Sequence, residues 1–152
     1  MKQTQISIAI GRHINKLTEA WMQQVREDNR ITSDEELSWR ELQDHVPQII
    51  EEICEFIKTG ELPDQKNTHE ARASVYLRFN QGYRGRDLIR ELSLLRLLLF
   101  DHLTQVFSTT SELTVADYAQ SGRIINLYLD EEMRYAISVY GDLSPVSGNV
   151  KN

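Results

Sequence analysis

DLIRELSLLRLLLFDHLTQVF, residues 87–107, is the stretch whose reading decides the fold. At the α-helical repeat Leu88, Leu92, Leu95, Leu99, Leu103 and Val106 fall on one line, and Ile89, Leu98, Phe100 and Phe107 widen it beyond the stripe of a half-buried surface helix. A helix this apolar must be covered by other helices. Its remaining face holds Arg86, Arg90, Asp101 and Thr104, with Leu94 and Leu97 within or beside it, where a lone monomer favours polar residues. Those two leucines are the first candidates for a surface that meets a partner.

Outward from this helix, the totals set bounds. A chain of 152 residues suits one domain with its own core, expected over residues 1–141, with 142–152 a tail or the start of a linker. The formal charge of −6 argues against nucleic acid, because carboxylates accompany the basic residues almost everywhere. The single cysteine, Cys54, forms no intramolecular disulfide and reads as a packed thiol, and no charged-then-apolar leader opens the chain. A cytoplasmic protein is expected. The apolar run 97–100 is far shorter than the roughly 20 residues that span a bilayer, so no membrane insertion is expected.

Upstream, residues 4–27 align Ile6, Ile10, Ile14, Leu17, Trp21 and Val25 on one face and predict an unbroken first helix, with His13 at its edge pointing to water. Thr32 or Ser33 is the expected cap before Asp34, Glu35 and Glu36. A second helix carries Trp39, Leu42, Val46, Ile49, Ile53 and Phe56 as far as Gly60. Pro47 lies inside it and predicts a kink or a break near His45. Glu51, Glu52 and Glu55 lie off the apolar line and read as a solvated face. After the loop at 61–67, Thr68 is placed to cap a third helix that stops at Gly82. The tight turn Gly82-Tyr83-Arg84-Gly85 predicts an antiparallel pairing of this third helix with the central one.

Downstream, the last helix places Val115, Ala119, Gly122, Asn126, Leu129, Met133, Ala136 and Tyr140 at alternating spacings of four and three, the seam of a coiled coil or a bundle. Asn126, Leu129 and Met133 join Leu94 and Leu97 as candidate interface residues, though packing within one bundle explains the seam as well. Ile124 and Tyr128 lie opposite, so the helix is expected to touch two neighbours. The fold class that follows is all-α: five helices in a bundle or a globin-like packing around the buried central helix at about 86–107.

Motifs for chemistry are sparse. Phosphate-binding loops and HExxH or paired ExxH metal spacings are absent, and Asp130, Glu131 and Glu132 point in three directions on a helix. Thr68-His69-Glu70-Ala71-Arg72 carries the His-Glu-x-Arg core of a phosphoacceptor box but lacks the proline that follows it, and a helix start accounts for it. His102, near the apolar line of the central helix, offers a ligand for haem or a related tetrapyrrole, although a buried histidine bonded to nearby backbone is the commoner case. No catalytic, metal-binding or cofactor-binding set is assigned otherwise.

One resemblance goes further. Arg78-Phe79-Asn80-Gln81-Gly82-Tyr83, followed by Leu88-Ile89-Arg90-Glu91-Leu92 and Leu95-Arg96, resembles the N-terminal domain of the stressosome co-antagonist family RsbRD, as does the upstream Leu42-Gln43-Asp44-His45-Val46-Pro47. The likeness covers about residues 10–140. Many members carry histidine four residues before the arginine matching Arg78; this chain has Ser74 there, so a role tied to that histidine is not carried over. The resemblance implies a globin-like, dimeric, non-catalytic input domain that signals to a C-terminal kinase or STAS output, and for this chain a two-component histidine kinase is the expected one. A stand-alone helical adaptor for a protein partner, or a haem- or tetrapyrrole-binding globin-like sensor, is the alternative. Among the motif residues Arg78, Gly82, Tyr83, Glu91 and Arg96, the two charges on the central helix point too far apart to pair with each other. Arg72 or Arg78 is the expected partner of Glu91, and a carboxylate of the second helix that of Arg96.

Overall fold

The computed structural model describes residues 2–143, so the expected tail lies outside the described residues except for 142 and 143, which continue the last helix. The order is α1 (Lys2–Gly11), α2 (Ile14–Glu27), a 3₁₀ turn (Ser33–Glu36), α3 (Trp39–Gln43), α4 (Val46–Thr59), α5 (His69–Asn80), α6 (Gly85–Thr109) and α7 (Val115–Leu143). No strand occurs among the described residues, and no described helix is long and apolar enough to cross a membrane. All five expected helices are present, two of them broken.

The first break corrects the unbroken helix at 4–27. Gly11, a poor helix former, and the step at Arg12 and His13 divide it, so that α1 packs on α4 while α2 packs mainly on α6. The apolar stripe survives the step, with Ile6, Ile10, Leu17, Trp21 and Val25 all buried. The second break falls where Pro47 predicts it. His45 takes a left-handed backbone (φ 74°), and Pro47 sits in the first turn of α4, where its missing N–H has no intrahelical acceptor to lose. Ser38, rather than Thr32 or Ser33, caps a helix here, forming a reciprocal capping box with Glu41 ahead of α3.

The end of α5 shows why Gly82 is required. Tyr83 N–H donates to the Arg78 carbonyl at 3.0 Å and Gly82 N–H to that of Phe79 at 3.1 Å, the Schellman pattern, with Gly82 at φ 77°. The turn does not create the antiparallel α5–α6 pair expected of it. It swings α6 away, and α5 packs chiefly along α7, with Tyr76 on Tyr135 and Phe79 on Tyr140. The antiparallel hairpin is α6 with α7. Gly85 lies against Tyr140 at one end, and farther along Gly122 admits Phe100, whose ring would stand 2.9 Å from any Cβ at that position. The seam of α7 is therefore spent largely inside the monomer: Leu129 and Ala136 are buried, while Val115 is exposed. Ile124 and Tyr128 are buried on the other side, with Tyr128 against Phe56 of α4, so α7 does touch two neighbours.

Candidate functional site

The central helix carries one carboxylate into the core, and the rest of the site follows from neutralising it. Glu91 is buried, and Arg78, reaching from α5, meets its Oε1 at 3.2 Å. Arg78 is the partner the sequence offered, and it is held on all sides. One terminal nitrogen donates to the Glu41 carbonyl and to Gln81, the other to the Leu42 carbonyl at 2.7 Å, and the guanidinium stacks over the Tyr83 ring. One side chain thus closes the C-terminal end of α3 onto α5 and α6. Trp21 of α2 adds a bond from its indole N–H to the Glu91 carbonyl at 3.0 Å.

A second carboxyl shares this arginine's field. Glu132 of α7 is 0% exposed, and neither of its oxygens has a hydrogen-bond partner. Burial, together with the charge of Glu91, outweighs Ser74 and Arg78 and raises its pKa to about 8. Burial pushes Glu91 upward as well, against the pull of Arg78. Tyr83 lies next to Glu91, yet its hydroxyl and Glu91 Oε2 complete no hydrogen bond, and Tyr140, also in this field, has its buried hydroxyl unpartnered and its pKa pushed up to about 12. Ser74, standing where the resembled family often has histidine, brings no charge to Glu132. Glu132 was legible only as one of an acidic triplet. Its signal was position, since it stands one turn from Tyr128 and from Ala136 on a buried face. Its two companions do point elsewhere, Asp130 to Arg96 and Glu131 to Arg134.

Arg96 corrects an expectation. Its partners are on α7 and not on the second helix: Asn126 at 2.7 Å, Asp130 at 3.0 Å and Met133 Sδ at 3.6 Å. The α6–α7 hairpin brings these groups level, so Asn126 and Met133 are clamped within the chain. Of the two candidate surface leucines, Leu94 is 8% exposed and belongs to the core, because α6 is covered on more sides than its polar residues suggest. Leu97, at 59%, is open.

Glu52 is likewise no member of a solvated face. Its carboxylate accepts from the N–H groups of His69 and Glu70 and from the Tyr128 hydroxyl, and so caps α5 from another helix. Thr68 does not cap that helix; its hydroxyl donates back to the Asp64 carbonyl. Cys54 is a buried thiol whose pKa burial raises to about 12. His102 and His13 meet edge to face, centroids 5.2 Å apart, so His13 does not simply point to water. Among the described residues no group of three or more His, Cys, Asp and Glu side chains is placed to hold a metal ion.

The described residues form an all-α domain whose core is crossed by buried charges drawn from several helices. The chain belongs to the RsbT co-antagonist protein rsbRD N-terminal domain family, which it matches over residues 15–142, and that family is one of signalling domains. No curated protein and no solved structure shows significant similarity to it.

Proposed function

We propose that this chain is the N-terminal input and dimerisation domain of a bacterial, cytoplasmic signal-transduction protein, non-catalytic in itself, whose output is a two-component histidine kinase or a STAS partner. The observation that carries this reading is the incompletely satisfied polar centre of the core: one guanidinium faces two buried carboxyls, and Glu132 is left without a hydrogen bond. A polar centre satisfied on one side only is poorly matched to its present packing, and a modest shift of α7 changes which groups are satisfied. Family membership supports protein partners, and α7, which carries Glu132, forms the C-terminal end of the described residues.

For the dimer, the supporting features are the exposure of Leu97 on α6 and of Ile137 on α7, and an apolar groove lined by Ile89, Ala136, Ile137 and Tyr140 where these helices meet. Sedimentation of the purified chain tests this. A dimer that Leu97→Glu or Ile137→Glu converts to a monomer of unchanged helicity is the expected result. A wild-type monomer at all practical concentrations would overturn the dimerisation role and favour an adaptor that offers Leu97 to another protein.

A further inference from the structure

The step between α1 and α2 faces the C-terminal third of α6 and leaves a groove there. It comprises two adjoining cavities, of about 490 Å³ and about 310 Å³, which share His13, His102 and Gln105. The ionisable side chains that line them are Arg12, His13 and Lys16 from the step and His102 from α6. All four are bases in a chain of net charge −6. Neither Arg12 nor Lys16 is in an ion pair among the described residues. His102 Nε2 is buried in the wall without a hydrogen-bond partner. Gln105 adds a neutral donor on the α6 side.

We infer that this groove binds a small oxyanion, a phosphate- or carboxylate-bearing molecule, between the α1–α2 step and α6. Converging donors without a carboxylate among the lining residues provide the charge and the hydrogen bonds that such a group needs. The paired imidazoles favour it further, because two rings in contact at 5.2 Å repel each other when both are protonated and an anion relieves that repulsion. Burial, together with His13, lowers the His102 pKa. Asp101, the nearest acid in sequence, is exposed and outside the lining. A divalent cation suits the groove poorly, since Arg12 and Lys16 repel it and no third ligand is at hand. A haem held between the two imidazoles does not fit rings that already touch.

Arg12 and His13, two of the four basic side chains of the groove, precede the residues that match the family. The inference names a ligand class for the input-domain reading and rests on that reading only for its consequence. Occupancy would draw the step toward α6, the helix whose Arg96 clamps α7.

The test is titration of the full chain with inorganic phosphate and, separately, with succinate, at fixed ionic strength against a sodium chloride control, with the His13 and His102 imidazole resonances as the readout. Saturable shifts with phosphate, with succinate or with both support the site and say which oxyanion it takes. The Arg12→Gln/Lys16→Gln double variant, altered only at exposed positions, should keep its helicity and weaken binding by about tenfold or more. Wild-type affinity should weaken as pH rises, since His102, whose pKa burial lowers, favours an anion only when protonated. No shift beyond the chloride control, or shifts indifferent to the double variant, would overturn the assignment, as would zinc binding in place of either anion. Failure here leaves the sedimentation result untouched, and a monomer that still binds phosphate would remove the dimer while keeping the groove.

Discussion

Replacing Glu132 by glutamine should change how the stability of this domain responds to pH more than it changes stability at any one pH. The carboxyl ionises near 4.5 in an exposed chain and near 8 in its buried position. Between those values the folded protein keeps a proton that the unfolded chain has released. Stability from this group is therefore complete below about pH 4.5, declines as pH rises, and is gone above about 8. The interval corresponds to about 5 kcal/mol, at about 1.4 kcal/mol for each tenfold change in proton concentration. That is a large part of the 5–15 kcal/mol or so by which a domain is stable. Glutamine preserves the shape and does not ionise. Its amide donors lack partners in the same pocket and cost about 1–3 kcal/mol, but by an amount independent of pH. Urea unfolding followed by helical circular dichroism, from about pH 5 to about pH 9, should give a wild-type curve that falls relative to the glutamine curve by several kcal/mol. Parallel curves would refute the reasoning, because they would mean that Glu132 reaches water or a cation when ionised.

Two further substitutions probe the packing around it. Arg78→Met leaves Glu91 buried without a countercharge and the Glu41 and Leu42 carbonyls without their donor, and should cost about 3–5 kcal/mol in urea unfolding; Arg78→Lys, a point charge lacking the guanidinium fork, should recover only part of that. Gly122→Leu should push Phe100 out of its seat between α6 and α7 and lower stability by about 1–3 kcal/mol, whereas a thermal midpoint equal to wild type would show that the hairpin yields freely there.

What could be read in advance was whatever local spacing decides. The breadth of the apolar face of α6 required burial, Pro47 located a break, Gly82 ended a helix, and Glu91 needed a basic residue from the preceding helix, which Arg78 provides. What could not be read was whatever depends on the direction a helix leaves its turn. Because α6 pairs with α7, Arg96 finds its partners there, and because α5 also lies along α7, Glu132 is enclosed; Leu94 is covered too. Glu52 shows the same limit. Nothing near it in sequence indicates that the start of α5 and the Tyr128 hydroxyl come to its carboxylate. The histidine groove depends on a step in a helix that residue spacing alone would run straight.

The Glu52 carboxylate also constrains how α7 can move. It accepts from Tyr128 of that helix at 2.6 Å while also accepting from the first N–H groups of α5, with Phe56 packed alongside. A lengthwise slide of α7 would have to break this tether, whereas a tilt about Tyr128 would not. From Tyr128 to Leu143 the helix extends about 22 Å, at about 1.5 Å per residue. A tilt of about 5° at the tether therefore carries the far end sideways by about 2 Å. This one tether thus resists a lengthwise slide of α7 more than a tilt about Tyr128.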